Sequence, residues 1–573
     1  MGLPLATALR ASLREVYGPA QLRADLVAGL VVGVVALPLS MALAIASGVP
    51  PQHGLYTAVV AGLVIALLGG SRVQVSGPTA AFVVILAPIA GRAGLGGLLL
   101  ATLLAGLMLV AMGALGFGQF IEFVPHPVTT GFTSGIAVVI ATLQVKDLLG
   151  LEAGPLPEHY VEKLGVLGGA LHTTQPPDLT IGLATLAVLL GWPRLSRRVP
   201  APLVALLVGA GLALVLDRAG FHAATIASRF EGGIPQRLPQ LVWPWSLPGP
   251  DGGPLVLSFG LFRDLLLPSA FAIAMLGAIE SLLSAVVADG MTGTKHNPDV
   301  ELVAQGLGNL VAPFFGGIAA TGAIARTATG VRAGARTPVA AAAHAVFVLL
   351  AVLMLAPILS HLPMAALAAL LVFVAWNMAE APHFLRIVRT APRSDVTVLV
   401  LCFSLTVIFD MVVSVTVGVL LSALLFMRRM AAVSGVSLVG STHHQLVEPL
   451  PDGVVVYDVQ GPLFFGAAQK AMSALESVER NVKVVILDMA DVPVIDATGL
   501  VALESAIARL NHDGVKVILA GVGGQVLRAL ARAGWRNRKG RLRIFQSFDS
   551  AVARAREHLT AVEGPSHERA DRP

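Results

Sequence analysis

Two acidic residues stand inside a long apolar stretch of the sequence. Glu280 and Asp289 lie in FAIAMLGAIESLLSAVVADGM, residues 271–291. A charge at the centre of a bilayer helix costs from about 2.5 to more than 10 kcal/mol, so such a residue normally faces protein or a water-filled cavity. Glu280 is therefore a candidate for a titrating, ion-coupling group. The alternative is a structural ion pair or hydrogen bond. Asp289, nearer the end of the stretch, is expected to be solvated.

Two short segments combine Gly, Ser and Thr at points where a helix could begin at membrane depth. They are QVSGPTAAFVVI, residues 74–85, and GGIAATGAIARTATG, residues 316–330. Both belong to apolar spans shorter than the roughly 20 residues that cross the hydrocarbon core. A helix that begins there offers unpaired N–H groups and the positive end of its dipole, which suit an anion. Ordinary glycine-rich packing helices are the alternative, because small residues are common where membrane helices touch.

Side chains in these segments supply further candidates. Arg326 would add positive potential to an anion site, unless it is a paired or snorkelling arginine. Thr79 and Thr321 could donate hydroxyl hydrogen bonds to a substrate, although Ser and Thr in helices more often bond to the backbone. Gln305 and Asn309 are four residues apart, on one helix face, and are predicted to hold helices together rather than to bind a ligand.

The composition defines the class of protein that carries these residues. Of 573 residues, 55% are hydrophobic and 13% charged, and the mean hydropathy is +0.79, which predicts a polytopic membrane protein. The net charge of +5 comes without a basic run or aromatic-spaced patch, so no nucleic-acid partner is expected. The single cysteine, Cys402, excludes a disulfide framework within the chain and a Cys-based zinc site.

No catalytic motif accompanies this composition. The sequence holds no Walker A, GxSxG or HExxH pattern, and its histidines lack metal-ligand spacing. An enzyme, a primary pump, a bound metal and a cofactor are therefore not expected. Energy for transport must come from an ion gradient or from substrate exchange.

Apolar spans fall into two sets of seven, and the two short segments are each third in their set. The predicted spans are 26–47, 52–69, 77–90, 94–116, 127–145, 179–192 and 201–216, then 264–289, 300–316, 322–331, 338–356, 363–379, 395–409 and 411–427. Matched short spans in two halves indicate an inverted-repeat transporter whose half-helices meet near mid-membrane. The Arg and Lys residues between spans place both termini in the cytoplasm by the positive-inside rule.

Beyond Arg429 the pattern becomes that of a small α/β domain. Predicted strands at 453–460, 482–490 and 515–522 alternate with predicted helices at 467–480, 497–514 and 523–535. The topology makes this domain cytoplasmic. The polar tail after about residue 561 is predicted to be disordered.

Two sequence stretches resemble a known family of membrane proteins. PQHGLYTAVVAGLVIALLGGSRVQVSGPTAA, residues 51–81, resembles the signature of the sulfate permease (SulP) family of anion transporters. VPVIDATGL, residues 492–500, resembles the phosphorylation-site loop of the STAS domain that follows their membrane part. Within the family, MLGAIESLLSAVVADGMTGTKH and GPLFFGAAQ, among other stretches, are similar to bacterial C4-dicarboxylate transporters.

The resemblance implies an α-helical polytopic fold of fourteen transmembrane segments in a 7+7 inverted repeat, with core and gate domains, then a small cytoplasmic α/β STAS domain. It implies a homodimer in a bacterial inner membrane. The expected domains are an N-terminal segment (1–22), the transporter (23–430), a linker (431–445), the STAS domain (446–560) and the tail (561–573).

The resemblance also assigns roles to residues. Glu280 stands where family members carry an acid proposed to couple to a proton or sodium ion, and Thr498 matches the phosphorylatable residue of the STAS loop. In the first span the usual Pro-Gln is replaced, since ALPLSMALA, residues 36–44, has Leu39 and Ser40. The implied substrate-binding residues are Ser40, Ser76, Gly77, Thr79, Ala80, Thr321, Ala323, Ala325 and Arg326.

These observations together predict a secondary transporter that imports succinate, fumarate, malate or aspartate with protons. A bicarbonate or sulfate carrier coupled to sodium or protons remains open, as do an uncoupled anion channel and a regulatory protein with vestigial transport. Glu280 favours coupled transport over a channel, because a channel needs no titrating acid. The intact pair of short segments argues against the vestigial alternative.

Overall fold

A computed structural model describes most of the chain as two compact units, Met1–Leu420 and Leu421–Pro573. The described residues are 5–15, 17–119, 124–154, 156–157, 159–196, 199–250, 252–409, 411–439, 449–464, 468–469, 472, 475, 481–535 and 542–562.

The first unit is built from helices. They are α1 (Thr7–Arg14), α2 (Pro19–Ala46), α3 (Pro51–Leu68), α4 (Ala80–Ala114), α5 (His126–Leu149), α6 (Tyr160–Ala170), α7 (Pro176–Leu195), α8 (Ala201–Arg218), α9 (Ile226–Arg229), α10 (Phe259–Leu261), α11 (Leu267–Thr292), α12 (Pro298–Val311), α13 (Ile324–Arg332), α14 (Pro338–Leu359), α15 (Met364–Ala379), α16 (Ala381–Thr390), α17 (Arg393–Ile408) and α18 (Met411–Val433), the last of which runs on into the second unit. Short 3-10 turns at Leu171–Thr173, Pro244–Ser246 and Ala312–Phe315 and a π turn at Phe262–Leu266 complete it.

The helices match the predicted apolar spans. Within the described residues, ten helical stretches are long and apolar enough to cross a membrane. Two neighbouring predicted spans, 77–90 and 94–116, are the two arms of α4, which bends where Gly94 adopts φ 66°. A side chain at Gly94 would approach the backbone of Gly249 to 2.3 Å, so the bend needs glycine. The polytopic helical fold is confirmed, while the number of fourteen crossings stays a prediction.

Glycines set the close approach of the membrane helices. A Cβ atom built on Gly106 of α4 would lie 2.8 Å from the carbonyl oxygen of Gly306 in α12, and one on Gly306 would lie 2.7 Å from that of Gly106. Gly29 of α2 packs in the same way on the backbone of α14, where a Cβ atom built on Gly29 would lie 2.6 Å from the carbonyl oxygen of Ala340. Lipid supplies no hydrophobic force between helices, so such close packing is what holds them.

Two very short strands meet inside the helical unit. Strand β1 (Ser76–Gly77) pairs with β2 (Thr321–Gly322) in antiparallel register, with Ser76 opposite Gly322 and Gly77 opposite Thr321. Helix α4 begins three residues after β1, and α13 begins two residues after β2. The two short segments, 74–85 and 316–330, thus come together as predicted, and the strand before each helix was not predicted.

The second unit holds a five-stranded sheet. Its strands are β3 (Gly435–Val439), β4 (Val454–Gln460), β5 (Val484–Asp488), β6 (Lys516–Ala520) and β7 (Leu542–Ile544). The order is β3-β4-β5-β6-β7, with β3 antiparallel to β4 and the others parallel. Its helices are α19 (Ala497–His512), α20 (Gly524–Arg532) and α21 (Phe548–Val562).

The three predicted strands and the last two predicted helices of this unit are confirmed. The helix predicted at 467–480 falls almost entirely outside the described residues, and so does the tail after Val562. Strand β3 lies within 431–445, which was predicted as a linker; because all five of its residues pair with β4, it belongs to the sheet instead. Strand β7 and helix α21 were not predicted.

Candidate anion-binding site

The starts of α4 and α13 form the centre of the candidate site. Thr79 and Ala323 occupy the N-cap positions, and neither provides a side-chain hydrogen bond to its helix. The amide of Ala323 instead donates to the carbonyl of Val75, at 2.9 Å, which ties the second helix start to the strand before the first. Two helix N-termini without side-chain caps thus leave backbone N–H groups for a ligand.

Glu280 lies on α11, beside the first of these helix starts. The Thr79 hydroxyl donates to Glu280 Oε2 at 2.8 Å, which explains why Thr79 does not cap α4. The charges of Glu280 and Arg326 attract each other across the site. Glu280 is partly buried, so it keeps contact with the space beside the helix starts.

Arg326 occupies the first turn of α13 and is 2% exposed. Its Nη2 donates to the carbonyl of Pro78, on the loop that leads into α4. Its Nη1 is buried and makes no hydrogen bond in the described part of the chain. A Cβ atom at Gly77 would come within 2.8 Å of Nη1, so glycine makes room for the guanidinium. One donor of a buried cation is therefore left over at the centre of the site.

Two predicted ligand hydroxyls are engaged in holding the strands. Thr321 donates to the carbonyl of Gly277 at 3.1 Å, so the Ser281 hydroxyl must donate to Thr321, at 2.7 Å. The amide of Gly322 donates in turn to Ser281 at 3.1 Å. On the other strand, the Ser76 hydroxyl accepts from Gln305 Nε2 at 2.8 Å. These bonds attach the strand pair to α11 and α12.

Helix α12 carries a polar ladder, which consists of Glu301, Gln305 and Asn309 on one face. The sequence predicted only Gln305 and Asn309 as contact residues. The side chain of Asn309 makes two hydrogen bonds to the backbone of Ala320, just before β2. Its NH2 group donates to the Ala320 carbonyl and its Oδ1 accepts from the Ala320 amide, each at 2.8 Å. Gln305 bonds Ser76, as just described. The carboxylate of Glu301, 1% exposed, accepts from the amides of Gly70 and Ser71 at 2.9 and 3.0 Å, from Gln305 and from Gln74. The i, i+4, i+8 spacing of three polar residues was the signal available for Glu301.

The remaining predicted site residues fall in different surroundings. Ala80 and Ala323 are 8% exposed and offer only backbone, whereas Ala325 is exposed. Ser40 on α2 is fully buried, its hydroxyl has no hydrogen-bond partner in the described part of the chain, and no bond joins it to either helix start. The structure thus brings Glu280, Thr79 and Arg326 together, whereas it shows no hydrogen bond from Ser40 to any of them among the described residues.

Asp289 is not solvated as expected. Its Oδ2 accepts from both the amide and the ring of His296, at 2.9 and 2.7 Å, and Oδ1 accepts from Thr294. The carboxylate thus holds the loop that follows α11, because amides in that loop have no helical partner. Asp289 therefore serves the turn and not the site.

In the STAS unit, Thr498 is exposed as the second residue of α19. The preceding Asp496 caps this helix by accepting from the amide of Gly499 at 2.7 Å. A phosphate on Thr498 would lie in the first turn, where the helix dipole favours negative charge. Among the described residues, no group of three or more His, Cys, Asp and Glu could hold a metal.

Two uncapped helix starts facing each other across a strand pair, with a buried arginine and a neighbouring acid, define a membrane carrier for anions. A model of the sulfate permease family matches residues 22–402, and a STAS domain model matches residues 447–551. The chain belongs to the sulfate permease family, with a C-terminal STAS domain.

Known relatives support this assignment. The chain is 40% identical to the "Putative sulfate transporter YvdB" of Bacillus subtilis (strain 168), over 93% of this chain and 98% of that protein. It is 29% identical to the "Bicarbonate transporter BicA" of Picosynechococcus sp., over 89% and 90%. The solved structure of SLC26A9 has the same fold, with a TM-score of 0.82 at 20% identity, covering 98% of this chain and 94% of that one. These relatives do not support the predicted likeness to C4-dicarboxylate transporters.

Proposed function

We propose that the chain is a secondary active transporter of a small inorganic oxyanion, sulfate or bicarbonate, bound between the starts of α4 and α13. One observation carries the proposal. Arg326 is 98% buried, since its exposed fraction is 2%, and its Nη1 has no protein partner in the described residues. A buried cationic donor without a partner is costly unless a ligand supplies the acceptor.

The charge balance of the site favours an anion. Each helix start contributes roughly half a positive charge, and Arg326 contributes one, so the positive side amounts to roughly two charges. Glu280 removes one of these when it is ionised. The site is thus positive overall and binds an anion more strongly once Glu280 is protonated.

The same balance provides a mechanism of ion coupling. If a proton on Glu280 strengthens anion binding, then bound anion strengthens proton binding by the same factor, because the two equilibria are linked. Thr79, which donates to Glu280, places the carboxylate at the head of α4, where this linkage is strongest. A sodium ion held by Glu280 would act in the same way. An uncoupled channel has no use for such a group.

The site favours a compact anion over a C4-dicarboxylate. Of the side chains that the structure places at the two helix starts, Arg326 alone is cationic. A dicarboxylate would need a second positive group several ångströms away for its far carboxylate. Two of the relatives are named a putative sulfate transporter and a bicarbonate transporter, which points the same way. Succinate, fumarate, malate and aspartate are therefore the less favoured substrates.

Location, orientation and assembly are also proposed here. The distribution of basic residues between spans supports both termini and the STAS unit in the cytoplasm. The bacterial relative from Bacillus subtilis supports a cytoplasmic membrane of a bacterium. A homodimer rests on the family resemblance alone.

The proposal is tested by uptake of radiolabelled sulfate, bicarbonate and succinate into proteoliposomes under imposed proton, sodium or no gradient. The variants are wild type, Glu280→Gln, and Glu162→Gln as a charge-matched control on the exposed face of α6. We expect sulfate or bicarbonate uptake driven by one gradient, loss of gradient dependence in Glu280→Gln and no change in Glu162→Gln.

Three outcomes would contradict the proposal. Succinate uptake above that of both inorganic anions would return the substrate to the C4-dicarboxylates. Full gradient dependence in Glu280→Gln would make Glu280 structural. Anion flux without any gradient dependence in wild type would identify a channel.

A further inference from the structure

A cavity with polar groups in its lining lies at the end of the membrane unit where α2 finishes and α3 begins. Its volume is about 120 Å³, and it is separate from the helix starts described above. It is lined by Gln52, His53, Tyr56, Pro235, Arg237, Gln240, Val242, Leu247, Phe315 and Gly316. On the predicted topology this end faces away from the cytoplasm.

Three parts of the chain build the cavity. The first two turns of α3 form one wall, and His53 Nδ1 bonds the carbonyl of Gly316 at 2.6 Å. Since a carbonyl only accepts, this bond requires a proton on Nδ1. The loop before α10 forms the facing wall. The third part is the turn at Ala312–Phe315, and the amide of Val242 in the loop donates to the carbonyl of Phe314 in this turn at 2.7 Å. The cavity is therefore fixed in shape by its own walls.

The chemistry of the lining suits an anion. Arg237 is exposed at the mouth beside the Tyr56 hydroxyl, while Tyr56 itself is 8% exposed at the base. Gln52 and Gln240 add two amides, and none of the lining residues is acidic. Val242, Leu247 and Phe315 supply apolar wall, which lowers the local dielectric beside the hydrogen-bond donors. A cation, a phenol and two amides around a small cavity are donors for the oxygens of an oxyanion.

The cavity is joined along the backbone to the central site. Gly316, at its edge, opens the segment that leads to β2, and Thr57 of α3 donates to the carbonyl of Ile318 in that segment at 3.0 Å. Asn309 then holds Ala320, one residue before Thr321. Four residues thus separate the cavity edge at Gly316 from the strand at Thr321.

We propose that this cavity is a second binding site for the transported oxyanion, which holds the anion at Arg237 before it reaches Arg326. The proposal rests on the function proposed above, because it takes the same ligand. Arg237 supplies the charge, and Tyr56, Gln52 and Gln240 supply hydrogen bonds. The site raises the concentration of anion at the end of the membrane unit where α2 finishes and α3 begins.

Equilibrium binding of radiolabelled sulfate and bicarbonate to the purified full-length chain tests this site apart from transport. The variants are Arg326→Gln, Arg237→Gln and both together. Arg263→Gln is the matched control, since Arg263 is an exposed arginine outside the cavity that pairs with Asp264 at 2.7 Å. We expect two anions bound per chain in wild type and in Arg263→Gln, one in each single variant and none in the double variant. Arg237→Lys, which keeps the charge, should retain the second anion.

The outcomes separate the two proposals. One anion in wild type and none in Arg326→Gln would overturn the second site and leave the central site intact. Two anions in Arg237→Gln would show that the second anion lies elsewhere, and would also overturn it. Binding of neither sulfate nor bicarbonate to wild type would overturn the proposed function, and the second site with it. The melting temperature of each variant checks that it is folded.

Discussion

At the scale of single residues, the site combines groups that are costly to bury on their own. Arg326 and Glu280 attract each other, Thr79 donates to the acid, and one guanidinium nitrogen has no partner among the residues that the structure describes. In the proposed mechanism, Glu280 alternates between an ionised state that balances Arg326 and a protonated state in which a bound anion does so. The proposed coupling thus depends on three side chains from three helical segments.

Replacement of Arg326 separates charge from geometry. Arg326→Gln removes the cation, and we expect the KM for sulfate to rise about 10- to 100-fold, since a hydrogen bond to a charged group contributes about 1.5–3 kcal/mol. Arg326→Lys keeps the charge but cannot bond the Pro78 carbonyl and an anion with one planar fork, so an intermediate KM is expected. Initial rates in proteoliposomes measure both. An unchanged KM in Arg326→Gln would show that this arginine only packs against Pro78.

At the scale of elements, α12 determines where the two helix starts lie. In its polar ladder, Glu301 holds the loop before β1, Gln305 holds β1 itself and Asn309 holds the loop before β2. The sequence predicted Gln305 and Asn309 as residues that join helices, and the structure shows them bonded to Ser76 and Ala320. Glu301 was missed, because a lone acid near a helix start is usually a solvated cap.

Asn309→Ala tests this positioning role. It leaves the amide and carbonyl of Ala320 buried without partners, at a cost of about 1–3 kcal/mol each. We expect the maximal transport rate to fall together with stability. Asn297→Ala is the control, because the Asn297 side chain caps α12 by accepting from Val300 at 3.1 Å. Its bond to the loop before β1 runs from its backbone amide to the carbonyl of Gly70, and the substitution keeps that bond. That variant should lose about 1 kcal/mol of stability and keep its transport rate. Equal transport rates in the two variants would contradict the role of the ladder.

At the scale of the whole molecule, the chain divides into two units with separate cores. The sheet of the STAS unit is covered on both faces. One cluster includes Leu487, Leu503 and Leu519, and the other includes Ile486 and Ile518. A sheet with helices on both faces meets the requirement for independent folding.

We therefore expect a fragment of residues 435–562 to fold alone with a single cooperative transition, measured by circular dichroism during thermal unfolding. A fragment that starts at residue 446, the predicted domain boundary, lacks β3 and exposes the edge of β4. It should unfold at a lower temperature or aggregate. Equal melting temperatures of the two fragments would show that β3 contributes nothing to the sheet.

The sequence alone determined the membrane class, the paired short segments, the three central strands of the STAS unit and the candidate pair of Glu280 and Arg326. These follow from hydropathy, from matched breaks in two sets of spans and from charges that lipid does not tolerate, all of which are local properties of the chain. Tertiary structure decided which polar side chains remain available to bind a ligand. Thr321 and Ser76 are bonded to Ser281 and Gln305, whereas Nη1 of Arg326 has no partner within the described part of the chain. Partners about 40 and 229 residues apart in the chain carry no mark in their own sequence, so only the packed helices show which side chains a substrate can reach.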